Sequence, residues 1–186
     1  MEVETHPFEP FLPKGARLLM LGTFPPSEKR WSMKFYYPNY INDMWRIFGI
    51  IFFNDKDYFV DSANKTFRLP LLIPFLEAQG VALFDTATRI RRTTGTASDK
   101  DLEIVEETDL RQMLRQLPKC QAVVTAGQLA TEIASRQFGI PVPKVGDYST
   151  FIFEDRSLRL WRMPSSSRAY PMKPERKAEF YQKIFG

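Results

Sequence analysis

Two short loops and the segment between them hold most of the side chains in this chain that could do chemistry. Gly22-Thr23-Phe24-Pro25-Pro26-Ser27 and Met163-Pro164-Ser165-Ser166-Ser167-Arg168 each follow an apolar run. Backbone N–H groups and Ser hydroxyls in such loops can donate to phosphate oxygens. Phe35-Tyr36-Tyr37-Pro38-Asn39-Tyr40-Ile41-Asn42 adds aromatic faces for stacking and two amides able to donate and accept. Asp85, at the end of Val81-Ala82-Leu83-Phe84, adds a carboxylate. Two loops flanking an aromatic and amide cluster suited to a flat ring point at a nucleobase. Plainer readings stand beside this one: Asn42 as a helix cap, Asp85 as a turn former, Tyr36 and Tyr37 as core.

The composition narrows the chemistry. His6 is the one histidine and Cys120 the one cysteine, so His-based zinc sites, His-dependent triads, iron–sulfur clusters and internal disulfides lack material. Amides, carboxylates, hydroxyls and backbone donors remain, with no metal and no cofactor expected. Neither Gly-x-x-x-x-Gly-Lys nor Gly-x-Gly-x-x-Gly stands at the loops, which argues against triphosphates and dinucleotides. Lys and Arg number 26 against 22 Asp and Glu, and the pI is near 9.2, which permits a polyanionic partner. Arg89, Arg91 and Arg92 form a basic run, read either as a binding rim or as a solvated loop. No apolar run nears the ~20 residues of a membrane-crossing helix, and a lone cysteine fits a reducing compartment. The expectation is a cytoplasmic, nucleoid-associated protein with no membrane partner.

These residues need a scaffold that brings distant loops together. At 186 residues the chain suffices for one domain, burying about 70 % of its unfolded surface and able to act as a monomer. Residues 17–21, 81–84 and 121–125 read as buried strands between breakers. Helical spacing runs over 42–53, and further helices are expected over 69–76, from a Thr108 cap to 117, over 128–138 and from Pro174. An Arg/Thr/Gly-rich loop is expected after Asp85 through 98. Residues 149–153 and 158–162, joined by Glu154-Asp155-Arg156-Ser157, read as a hairpin. Strands alternating with helices predict a three-layer α/β/α fold with a central, mostly parallel sheet and a C-terminal hairpin. Ligands of such sheets sit beyond the carboxyl ends of the strands, where both loops and Asp85 fall.

In this order, Gly22-Thr23-Phe24-Pro25-Pro26-Ser27, Phe35-Tyr36-Tyr37 through Asn42-Asp43-Met44-Trp45, and Met163-Pro164-Ser165-Ser166-Ser167 resemble the uracil-DNA glycosylase superfamily. They look closest to its mismatch-specific and hypoxanthine-acting branches, and Ala82-Leu83-Phe84-Asp85 resembles a further motif of the latter. The similarity spans most of the chain and is least clear over 149–159. It implies base-excision repair: a deaminated base, such as uracil or hypoxanthine, is flipped out of DNA and its glycosidic bond hydrolysed. By resemblance, Asn42 positions water or base, with Asn39 as its competitor and Asp85 as an electrostatic partner. Gly22, Thr23, Phe24, Phe35, Tyr36 and Tyr37 would hold the base. Pro25, Ser27, Pro164, Ser165 and Ser166 would meet the DNA backbone, while Ser167, Arg168 or Tyr170 fills the gap left by the flipped base. The chain departs from the better-known branches where Thr23 and Phe24 replace a water-positioning Asp or Asn, a loss shared by the hypoxanthine-acting branch. Met44 likewise stands where an aromatic is usual. No lysine stands in these motifs to form a Schiff base, which implies a monofunctional enzyme. The missing acid keeps open a nucleic-acid-binding module without catalysis, and a hydrolase or transferase acting on free nucleosides or phosphorylated small molecules is a further alternative.

Overall fold

The computed structural model describes residues 2–93 and 102–186. In chain order the elements are β1 (Glu4–Thr5), β2 (Leu18–Gly22), α1 (Met44–Phe53), β3 (Val60–Asp61), β4 (Thr66–Phe67), α2 (Leu69–Gln79), β5 (Val81–Asp85), β6 (Ala87–Arg92) and β7 (Leu102–Glu107). There follow α3 (Leu110–Arg115), β8 (Ala122–Ala126), α4 (Gln128–Phe138), β9 (Tyr148–Phe153), β10 (Arg156–Met163) and α5 (Pro174–Phe185). The central sheet has the order β5-β2-β8-β10-β9. Its first four strands pair in parallel and β9 pairs antiparallel with β10, giving a mixed α/β fold around a mostly parallel sheet. Every residue of β2 and β5 is buried, which is why both read as continuous apolar runs rather than alternating ones. The register places Gly22 beside Asp85, Leu21 beside Thr125 and Met163 beside Ala126. The loops after β2 and β10 therefore leave the same end of the sheet as Asp85.

Several boundaries differ from those the sequence predicts, each for a local reason. The helix expected from Asn42 begins two residues later, because Asn42 Oδ1 accepts the Met44 N–H and holds a turn ahead of α1. Asp109, not Thr108, caps α3 by accepting the Gln112 N–H, while the Thr108 hydroxyl donates to the Asp85 carbonyl. The connection expected over 154–157 shrinks to Glu154 and Asp155, both at positive φ, which matches the twist of paired strands. Where a loop is expected after Asp85, residues 87–92 instead form β6, paired with β1 and β7 in a separate three-stranded sheet. Residues 94–98 of that expected loop lie outside the described residues. The pairing of β1 with β6, and two hydrogen bonds between Phe11 and Leu83, lay the N-terminal segment along β5 and β6.

Candidate active site

A cavity of about 600 Å³ opens at the carboxyl ends of the parallel strands, a size usual for small-molecule sites. Its walls come from Gly22 to Pro26 after β2, from the segment before α1, from Asp85, and from Pro164 to Pro171 after β10. Gly22 is required by close approach. A Cβ there would stand 2.9 Å from Asp85 Oδ1 and 3.4 Å from the Tyr37 hydroxyl. Asp85 is the one carboxylate among the described lining residues. Its Oδ2 accepts from His6 Nε2 at 2.7 Å, with the two side chains only 8 % and 3 % exposed.

The cavity wall also carries two buried hydroxyls without partners, Thr23 Oγ1 and Tyr37 Oη. Burial first, and then the Asp85 charge, holds the Tyr37 phenol well above its ordinary pKa, so it stays a donor. Tyr36 is pushed up by the same causes together with Glu9, and its hydroxyl is used within the fold, donating to the Glu9 carbonyl at 2.7 Å. Tyr37 has φ 53°, a left-handed conformation that costs a non-glycine residue about 1–3 kcal/mol. That strain, at a residue whose hydroxyl has no partner in the fold, falls on the cavity wall.

Asn39 and Asn42 both line the cavity, and each amide oxygen is held by the backbone N–H two residues on. Asn39 Oδ1 accepts the Ile41 N–H at 3.2 Å, and Asn42 Oδ1 accepts the Met44 N–H at 2.9 Å. A backbone N–H can only donate, so these bonds fix which end is oxygen and leave both Nδ2 groups free to donate.

The loop after β10 is fastened at successive carbonyls. Tyr181 Oη donates to Pro164 O, the Asp43 N–H to Ser166 O, and Lys177 Nζ to Ser167 O. Asp43 and Lys177, both with fully buried side chains, pair at 2.9 Å, and Arg168 reaches the other Asp43 oxygen at 3.2 Å. Ser165 and Ser167 hydroxyls accept the N–H groups of Ser167 and Ala169, each keeping its own proton to donate.

Of the residues singled out from sequence, Gly22, Thr23, Phe24, Pro25, Tyr36, Tyr37, Asn39, Asn42, Asp85, Pro164, Ser165, Ser166, Ser167, Arg168 and Tyr170 line this cavity. Phe35 does not: it is buried against Phe11, Tyr36 and Trp45, because the chain turns its neighbours toward the cavity and leaves it facing the core. Ser27 sits ahead of a short 3₁₀ turn with its Oγ buried, and lies outside the lining. The basic run is placed elsewhere by β6. Arg89 is exposed on that strand, and Arg91 pairs with Glu103. Arg92 is buried, bonding Glu4 and the Pro25 carbonyl beneath the first loop, with its guanidinium against the Phe24 ring. Among the described residues the cations at the cavity are Arg30, Arg162 and Arg168.

Sequence reasoning missed His6, Asp43, Lys177, Arg30 and Arg162. Arg30 and Arg162 had a local signal, each lying close in sequence to one of the two loops; His6, Asp43 and Lys177 depend on partners far along the chain. Among the described residues no group of three or more His, Cys, Asp or Glu could hold a metal ion, and no helix is long and apolar enough to cross a membrane.

No protein-family profile matches this chain, and no curated protein matches it. Solved structures do. One is the solution NMR structure of a "putative Uracil DNA glycosylase" from Methanosarcina acetivorans, similar over 99 % of this chain and 97 % of that one, with TM-score 0.64 and 20 % identity. At that identity the likeness is one of fold: the two chains share a mixed α/β architecture along nearly their whole lengths.

Proposed function

We propose that this chain is a monofunctional DNA glycosylase of the uracil-DNA glycosylase superfamily, folded as one three-layer α/β/α domain over residues 1–186. Its substrate is DNA carrying a deaminated base, and it acts as a monomer without metal or cofactor. The fold likeness supports the reading, and the orientation of Asn39 and Asn42 carries it. Deamination replaces an exocyclic amine with a carbonyl, as when cytosine becomes uracil or adenine becomes hypoxanthine. Two Nδ2 donors pair with that carbonyl and leave the amine of the parent cytosine or adenine facing another donor. Sites built to hydrogen-bond a polar group reject analogues that leave their buried groups unpaired.

The same donors serve the reaction. As the glycosidic bond breaks, negative charge develops on the departing base, and fixed donors stabilise it without reorganising. Phe24 and Tyr36 offer ring faces for the base. Ser165, Ser167 and the rim arginines offer donors to phosphates on either side of the flipped nucleotide. The test is alkaline strand cleavage after incubation with labelled oligonucleotides carrying uracil, hypoxanthine, xanthine or a G·T mismatch, in single and double strands. Base release from a deaminated substrate, and none from the unmodified strand, is the expected result. Salt-sensitive binding without release from any substrate would leave a binding module, and release from nucleosides alone would leave a nucleoside hydrolase.

A further inference from the structure

We propose that His6 is a positioning residue for hydrolysis, holding Asp85 by one oxygen so that the other takes the proton of the attacking water. The inference rests on the glycosylase reading. It fills the duty left open where Thr23 and Phe24 stand in place of an acid or amide. The parallel register sets Asp85 beside Gly22, so a carboxylate from the neighbouring strand reaches the space over the end of β2. The amide oxygens of Asn39 and Asn42 are committed to backbone N–H groups, and Asp85 is the one carboxylate among the described lining residues. Asp85 Oδ2 is bonded to His6 and its carbonyl to Thr108, which leaves Oδ1.

His6 is built to hold this position. The hydrogen bond from its N–H to Thr88 O at 2.8 Å continues the β1–β6 pairing. Its ring packs 4.4 Å from that of Phe84 and 5.2 Å from that of Phe24, centre to centre. A carboxylate only accepts, so Nε2 carries a proton. Nδ1 lies 3.1 Å from both the N–H and the carbonyl of Phe8. A neutral ring accepts from the former and an imidazolium donates to the latter, so the ring keeps its place in either state. In the step itself, the water oxygen bonds C1′ while the C1′–N bond breaks with its electron pair on the base. The water proton passes to Asp85 Oδ1, the Asn39 and Asn42 Nδ2 groups meet the charge on the base, and His6 neither gains nor loses a proton. Asp85 then returns its proton to solvent, and the base takes one from solvent.

The experiment compares His6→Ala and His6→Gln with the unaltered full chain, measuring single-turnover release from whichever oligonucleotide the unaltered protein cleaves. His6→Ala is expected to slow release by about 100-fold, the low end of what a positioned base contributes, while affinity for the oligonucleotide stays within about twofold. His6→Gln, whose amide can donate to Oδ2, is expected to recover most of the rate, and added imidazole to rescue His6→Ala. An unchanged rate in His6→Ala overturns the proposal. So does a loss that neither glutamine nor imidazole relieves and that follows a fall in Tm, the mark of a merely structural role. Because His6 is the only histidine, its imidazole nitrogens give one assignable pair of NMR resonances, and Asp85→Asn should move the Nε2 signal. An unmoved signal overturns the positioning whether or not a substrate is found. No release by the unaltered protein from any substrate overturns the glycosylase reading and the catalytic part of this proposal, while a moved signal still supports the His6–Asp85 bond.

Discussion

At the scale of single residues, Asn42 has two jobs that one substitution can separate. Its Oδ1 holds the turn before α1, and its Nδ2 is left free to donate at a residue that lines the cavity. Asn42→Asp keeps an oxygen for the Met44 N–H and removes the donor. That variant should melt close to the unaltered protein yet lose base release by about 10²–10³-fold, the usual cost of deleting one donor to a developing anion. Asn42→Ala removes both and should lose the same activity with about 1 kcal/mol of stability, as caps and turn bonds of this kind contribute. Thermal melts read beside single-turnover rates distinguish them. Gly22→Ala tests the floor: a methyl 2.9 Å from Asp85 Oδ1 displaces the carboxylate, and activity should fall while overpacking costs roughly 1–3 kcal/mol.

At the scale of elements, the late loop is positioned by α5 and by the residue before α1. Asp43 accepts from Lys177 and Arg168 while its N–H holds Ser166, so one buried carboxylate ties the amide segment to the late loop. Lys177→Met leaves that carboxylate buried with one partner gone. The expected loss is about 3 kcal/mol, a Tm lower by roughly 6–12 °C for a domain of this length. Replacing both Asp43 and Lys177 with apolar residues should restore part of the Tm but not the affinity for DNA, because the bonds to Ser167 and Arg168 go with them. A melt that is unchanged by Lys177→Met would mean the pair contributes nothing.

For the whole molecule, charge and burial give two further expectations. The basic run on β6 lies outside the cavity lining and is partly neutralised by Glu103 and Glu4, whereas Arg30 is exposed and lines the cavity. Arg30→Ala should lower the salt dependence of DNA binding by about one phosphate contact, and Arg91→Ala should leave it unchanged. Titrations of affinity at several salt concentrations measure both. Burial also sets the alkaline limit. The Cys120 thiol is pushed up from 9.0 to about 11, mainly by burial, and the Tyr36, Tyr37 and Tyr181 phenols are raised above 10.0 for the same first reason. These groups hold their protons more tightly folded than unfolded, so the Cys120 contribution is complete below pH 9 and is lost as the pH rises through about 11, while that of the phenols begins to fall only above pH 10.0. Tm measured from pH 7 upward should stay level and then fall over that window, with the three tyrosines ionising only on unfolding.

The parallel strands, the bounds of α4 and the two strand-end loops were legible in the sequence because their signals are local: unbroken apolar runs, glycine and proline breaks, helical periodicity. The same runs located Gly22 and Asp85, since in a parallel sheet the end of each strand is an address shared by its neighbours, while the asparagines stood out as amides within an aromatic cluster. Tertiary structure decided the rest. Phe35 and Tyr37 both pack against Trp45, yet one is held within the core and the other carries an unpartnered hydroxyl at the cavity. Asn42 gave no hint which end of its amide would face inward until the Met44 N–H claimed the oxygen. The arginines after Asp85 read as a loop, and sheet pairing put them on a strand outside the cavity lining, with Arg92 beneath the first loop. His6 meets Asp85 across 79 residues, and Lys177 meets Asp43 across 134. A side chain's partner at that separation leaves no trace in local propensity, because the bond exists only once the strands and α5 have brought the two ends of the chain together.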